Sequence, residues 1–111
     1  MKLSQKLTKE HVDPFFLEWQ MLSEEISDMH KRKDKRVTER MKDGILLYQK
    51  LLLQCTDVLQ GKKLMPLNGE ERFAFIVSRA GNFAAYRQLN ELFSEMKKII
   101  AAKRVQLKRL D

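Results

Sequence analysis

From Phe15 the apolar residues recur at alternating steps of four and three, as Phe15, Trp19, Leu22, Ile26 and Met29, with carboxylates over much of the remaining surface. That spacing puts them on one stripe of an α-helix. Asp13 and Pro14, just before the stripe, have the chemistry of a helix start. An aspartate accepts a hydrogen bond from a free first-turn amide, and a proline there has no N–H to leave unpaired. The expected helix covers 14–31, preceded by an N-terminal arm, 1–12, that Leu3 and Leu7 would anchor.

The stripe ends at Met29, because its next heptad positions are Lys33, Arg36 and Arg40. A second seam begins out of phase: Val37, Met41, Ile45, Tyr48, Leu52, Cys55, Leu59. A phase jump across a charged insert predicts a turn, with Asp34 capping a second helix over 35–60. No Gly or Pro stands in the joint, so one uninterrupted rod is the other reading. Gly61 suits the left-handed residue that closes a helix, and 62–67, with Pro66, form a connection.

Asn68 followed three residues later by Glu71 resembles a capping box and opens the last helical stretch, 69–110. Its apolar positions are Phe73, Ile76, Val77 and Ala80, then Tyr86, Leu89, Phe93, Met96, Ile100, Leu107 and Leu110, with Lys103 in one heptad slot. Gly81 and Asn82 either divide this stretch or let a neighbouring helix approach closely; a continuous or kinked helix is the preferred expectation.

The pattern therefore predicts an all-α protein, a small bundle of three to five helices with a long C-terminal helix, forming a single domain over 1–111. A chain of 111 residues holds one core but not a core plus a roomy enzyme cleft. The second helix has more apolar residues than one face can use. Leu46, Leu47, Leu51, Leu53 and Val58 extend around its circumference, and they are the candidate interface for a protein partner or a second copy. A homodimer is expected.

Charge adds a second kind of information. The net charge is +7, and its distribution is uneven. Six acids and no base lie between Glu10 and Asp28; Lys31, Arg32, Lys33, Lys35 and Arg36 then face only Asp34. From Lys97 to Arg109 there are six bases and no acid. On a helix, Lys97, Arg104 and Lys108 share a narrow stripe beside the apolar face. Such a stripe neutralises phosphates and releases their counterions whatever the base sequence. Lys and Arg also suit a helix C-terminus, and a joint between helices is polar in any case.

The leading functional expectation is a non-enzymatic accessory protein that binds nucleic acid, largely without sequence preference. Its contact residues would be Arg32, Lys33 and Arg36 together with Lys97, Arg104 and Lys108, which requires the two basic blocks to converge. The alternative is a helical adaptor or chaperone-like module that grips a partner helix in an apolar groove. Arg79, Phe83, Tyr86 and Arg87 interleave cations with rings, as surfaces that stack on unpaired bases do. The same spacing serves a core, to which Phe83, Tyr86 and Trp19 are assigned.

Catalytic and metal chemistry find no foothold. His11 and His30 stand 19 residues apart without a ligand-spaced Cys or carboxylate, so no metal is expected. Cys55 sits in an apolar seam, where a thiol is inert. There is no nucleophile elbow, phosphate-binding loop or dinucleotide glycine set, and adjacent glutamates point apart on a helix. No cofactor or small-molecule substrate is expected. No apolar run approaches the roughly 18 residues of a membrane span. One cysteine and a start without a secretory pattern predict a cytoplasmic setting.

Overall fold

The computed structural model describes residues 7–58 and 64–110, without the side chains of 56–58 and 110. Among the described residues four helices make up the bundle: α1 (Lys9–Lys31), α2 (Val37–Val58), α3 (Gly69–Ser78) and α4 (Phe83–Leu110). No strand occurs among the described residues. The bundle is elongated, 49 × 25 × 17 Å.

Helix directions follow from residue pairs. α1 and α2 are antiparallel, since Arg40 Nε donates to Glu25 at 2.9 Å and Trp19 lies against Gly44. α1 and α4 are antiparallel as well: His30 meets Phe83, Trp19 stacks on Phe93, and Arg104 reaches back to Leu7. α2 and α4 therefore run the same way. α3 folds back on α4, tied by the Arg72 guanidinium, which donates to both oxygens of Glu95 and to the Leu67 carbonyl.

The core is the set of periodic apolar residues read from the chain. Trp19, Leu22, Ile26 and Met29 of α1 meet Met41, Tyr48, Leu51 and Cys55 of α2, Ile76 of α3, and Leu89, Phe93, Met96 and Ile100 of α4, all buried. Trp19 is its centre. Its ring stacks on Phe93 at a 4.5 Å centroid distance and 9°, and its indole N–H donates to Asn90 Oδ1 at 2.9 Å. A buried aromatic of this kind contributes apolar area and a fixed orientation together.

The helix boundaries differ from expectation at the start of α1 and near Gly81. α1 starts at Lys9 rather than Pro14, so Pro14 lies inside it and Thr8, not Asp13, is the cap residue. Leu7 and Val12 are buried at 0% and 1% exposure, and burying such side chains gains roughly 1.5–3 kcal/mol each. That gain offsets the hydrogen bond Pro14 cannot make. The last helical stretch is divided rather than continuous. Residues 79–82 form a turn in which Asn82 N–H donates to the Arg79 carbonyl at 2.8 Å. A single rod would put Arg72 and Glu95, 23 residues apart, roughly 35 Å from each other. Their ion pair requires the hairpin.

Asn68 does precede α3, but its backbone is left-handed, φ 55°, and its side chain makes no cap bond. The turn is closed instead by Gly69 N–H donating to the Pro66 carbonyl at 3.0 Å. Val77, assigned to the α3 core face, is 53% exposed. The assignments made to Leu3, Leu59, Gly61 and the side chain of Leu110 lie outside the described residues.

Candidate functional site

The joint between α1 and α2 is a turn whose geometry explains the missing glycine. Asp34 N–H donates to the Met29 carbonyl at 2.9 Å, and Lys33 N–H to the His30 carbonyl at 3.1 Å. These are the two bonds of a Schellman closure, whose left-handed position glycine usually fills. Here it holds Lys33, at φ 55°. Asp34 accepts from the Arg36 amide at 2.9 Å in the turn that leads into α2, which begins at Val37 rather than at 35.

Electrostatics of the turn are one-sided. Arg36 also grips the Asp34 carboxylate with Nε at 3.1 Å and Nη2 at 2.8 Å. The Arg36 hydrogen bonds hold the Asp34 carboxyl down to about 2, so the one acid of the loop is ionised and internally matched. Lys31, Arg32, Lys33 and Lys35 are exposed and make no ion pair among the described residues. Of the nearby acids, Glu25 and Asp43 are engaged with Arg40 and Glu39 with Lys42, while exposed Asp28, one turn before Arg32, makes no ion pair among the described residues.

A second segment joins this end of the bundle. A β-carbon built on Gly81 would lie 2.7 Å from Thr38 Oγ1, so the α3–α4 turn packs on the first turn of α2. That packing brings exposed Arg79 and Phe83 to the same end as the joint. Phe83, assigned to the core from sequence, is 51% exposed, because it opens α4 where no helix covers it. His30 links the two segments. Its half-buried ring lies 5.3 Å from Phe83 at 87° and 5.9 Å from Tyr86. Burial lowers its pKa, favouring the neutral imidazole.

The structure brings Arg32, Lys33 and Arg36 together and leaves Lys97, Arg104 and Lys108 on the other half of α4, so the two basic blocks do not converge and one surface of all six residues does not form. Along the helix, Lys97 is roughly 21 Å and Lys108 roughly 38 Å from Phe83. Arg104 is partly engaged: its Nε donates to the Leu7 carbonyl at 2.7 Å, anchoring the N-terminal arm. Lys97 and Arg104 line a shallow groove with Lys9, Asp13 and Gln20, so an α1 carboxylate shares their field. The residues that sequence reasoning did not attach to the joint are Arg79 and Phe83. Their cation-and-ring spacing was the available signal, but only the division at Gly81 turns it towards the joint.

The apolar candidates also separate. Leu47 and Leu51, at 6% and 0% exposure, belong to the chain's own core, because α1 and α4 cover both flanks of the buried Tyr48 side of α2. Leu46 and Leu53 are 51% and 67% exposed. They border a groove completed by Leu52, Leu64, Met65 and Phe73. The Val58 side chain lies outside the described residues. Cys55 is fully buried, which pushes its thiol up to about 12 and removes it as a nucleophile near neutral pH. Among the described residues no three or more His, Cys, Asp or Glu gather as a metal site, and no helix is long and apolar enough to cross a membrane.

The YpoC-like protein family matches residues 9–108, and the chain belongs to that family. No curated protein and no solved structure matches it.

Proposed function

We propose that this member of the YpoC-like family is a non-enzymatic accessory protein that binds nucleic acid at the cationic end of its bundle. Arg32, Lys33 and Arg36 are the contact residues carried from the joint, with Lys31, Lys35 and Arg79 beside them. The observation that carries this reading is Lys33 itself. A residue with a β-carbon in the left-handed region costs roughly 1 kcal/mol relative to glycine, and this turn accepts that cost at an exposed position that carries one more cation. Arg36 supports the same reading by matching Asp34, the one acid inside the turn.

Contacts to phosphate give affinity with little sequence preference. The stripe of Lys97, Arg104 and Lys108 contributes in this reading only to strands long enough to run the length of α4. The test is the affinity for a labelled oligonucleotide across a salt series. About four phosphate contacts give a slope of log affinity on log salt of roughly −3 to −4. A flat slope, or no binding at low salt, rejects the proposal.

A second reading rests on Leu46 and Leu53, exposed one heptad apart beside the α2–α3 groove. It is an adaptor that seats an amphipathic partner helix with apolar residues at the same spacing. Sedimentation of the wild type and of a Leu46→Lys/Leu53→Lys variant separates the occupants. A wild-type dimer dissociated by the variant makes a second copy the occupant and argues against the adaptor. A wild-type monomer keeps the groove open, as the adaptor requires.

A further inference from the structure

Resting on the nucleic-acid reading above, we infer that the ligand of the cationic end is an unpaired strand, one of whose bases stacks on Phe83. The ring is half exposed at the first position of α4 and held in place rather than free to turn inward. Its centroid lies 5.3 Å from His30 at 87° and 5.7 Å from Tyr86 at 48°. His30 is the last residue before the run of joint bases, and exposed Arg79 begins the turn that leads into Phe83, so the ring stands at the same end of the bundle as these cations.

A fixed ring at a cationic end matches a nucleotide whose base and phosphate are both accessible. In a duplex the base faces are stacked on one another, so it can use the cations but not the ring. An acidic peptide likewise offers charge and leaves the ring unused. The pairing of Phe83 with the joint therefore selects among polyanions. Base stacking tolerates any sequence, because every base has a π-face, so the preference is for strandedness rather than for sequence.

The experiment measures anisotropy of a labelled oligothymidylate and of a duplex of equal length with the full chain at low salt. Wild type should bind the single strand more tightly. Phe83→Ala should weaken single-strand binding about tenfold, the loss of one base stack, and leave duplex affinity and the salt slope unchanged. Phe83→Tyr should retain wild-type affinity. Phe83→Leu keeps apolar bulk against His30 without an aromatic face, so it carries the test if the alanine variant loses helicity. Equal affinity for both ligands with Phe83→Leu silent overturns this inference and leaves the cationic end standing. Polyglutamate competing as well as the oligonucleotide also overturns it. Binding to neither nucleic acid overturns both readings.

Discussion

The indole of Trp19 occupies the space in which a side chain at Gly44 would stand: a β-carbon built there would lie 2.7 Å from Cζ3 of the ring and 3.2 Å from Leu89 Cδ2. The ring has nowhere to retreat, being stacked on Phe93 and hydrogen-bonded to Asn90. At an exposed helical position Gly→Ala gains about 1 kcal/mol. In this buried helix contact, Gly44→Ala is expected to lose about 1–3 kcal/mol from overpacking. Urea denaturation decides between the two signs, and a gain would show that α1 and α2 are not held at this distance by the ring.

Lys33 separates stability from binding. Lys33→Gly relieves the left-handed backbone, and after the extra freedom of glycine in the unfolded chain is discounted it should stabilise by about 0.5–1 kcal/mol. The same variant removes a cation from the proposed surface, so oligonucleotide affinity should fall while the melting temperature rises. Thermal melts and anisotropy on one preparation check both. A variant that is less stable would mean that the Lys33 side chain has a structural role the turn geometry does not show.

Arg72 fastens the α3–α4 hairpin, and its partner Glu95 gives the bond a pH signature. The Arg72 hydrogen bond holds the Glu95 carboxyl below its ordinary value of 4.5. The unfolded chain therefore takes up this proton first as pH falls. The contribution of the pair is present above 4.5 and lost as pH drops below it. Arg72→Met should cost about 1–2 kcal/mol at pH 7, discounted for partial exposure, and less at pH 3. A penalty independent of pH would assign the effect to packing of the arginine stem.

His30 titrates in the opposite part of the scale. Burial lowers its folded pKa below the ordinary 6.5, so between neutrality and acid the unfolded chain binds the extra proton. Stability from this residue is full above 6.5 and declines as pH falls through and below that value. His30→Phe keeps a ring beside Phe83 and Tyr86 without a titrating group. Denaturation at pH 7 and pH 5 should show a smaller loss in the variant than in the wild type; equal losses would mean that the imidazole is solvated when charged.

The helical class and most of the core were legible because amphipathic periodicity is a direct consequence of burial: Trp19, Ile26, Met41, Phe93 and Ile100 all stand where the spacing puts them. Boundaries were less legible, because they depend on tertiary partners. Pro14 has the local chemistry of a start, yet Leu7 and Val12 carry the helix past it by docking on α4. Gly81 is ambiguous until Arg72 is seen to reach Glu95. For the candidate site, Arg32, Lys33 and Arg36 cluster because they are neighbours in sequence. That Arg79 and Phe83 join them, and that Lys97, Arg104 and Lys108 do not, follows from the antiparallel seating of α1 on α4. Residue spacing along one helix carries no information on which end of another helix it meets.

Paired charge reversals measure directly which end of the bundle contacts the polyanion. Arg32→Glu/Lys33→Glu and Lys97→Glu/Lys108→Glu change net charge equally, so a nonspecific effect of total charge moves both alike. With a short labelled oligonucleotide at low salt, the joint variant should lose most of its affinity and reduce the salt slope by about two contacts, while the C-terminal variant stays close to wild type. Equal losses in the two variants, or a larger loss in the C-terminal one, would contradict the proposed function.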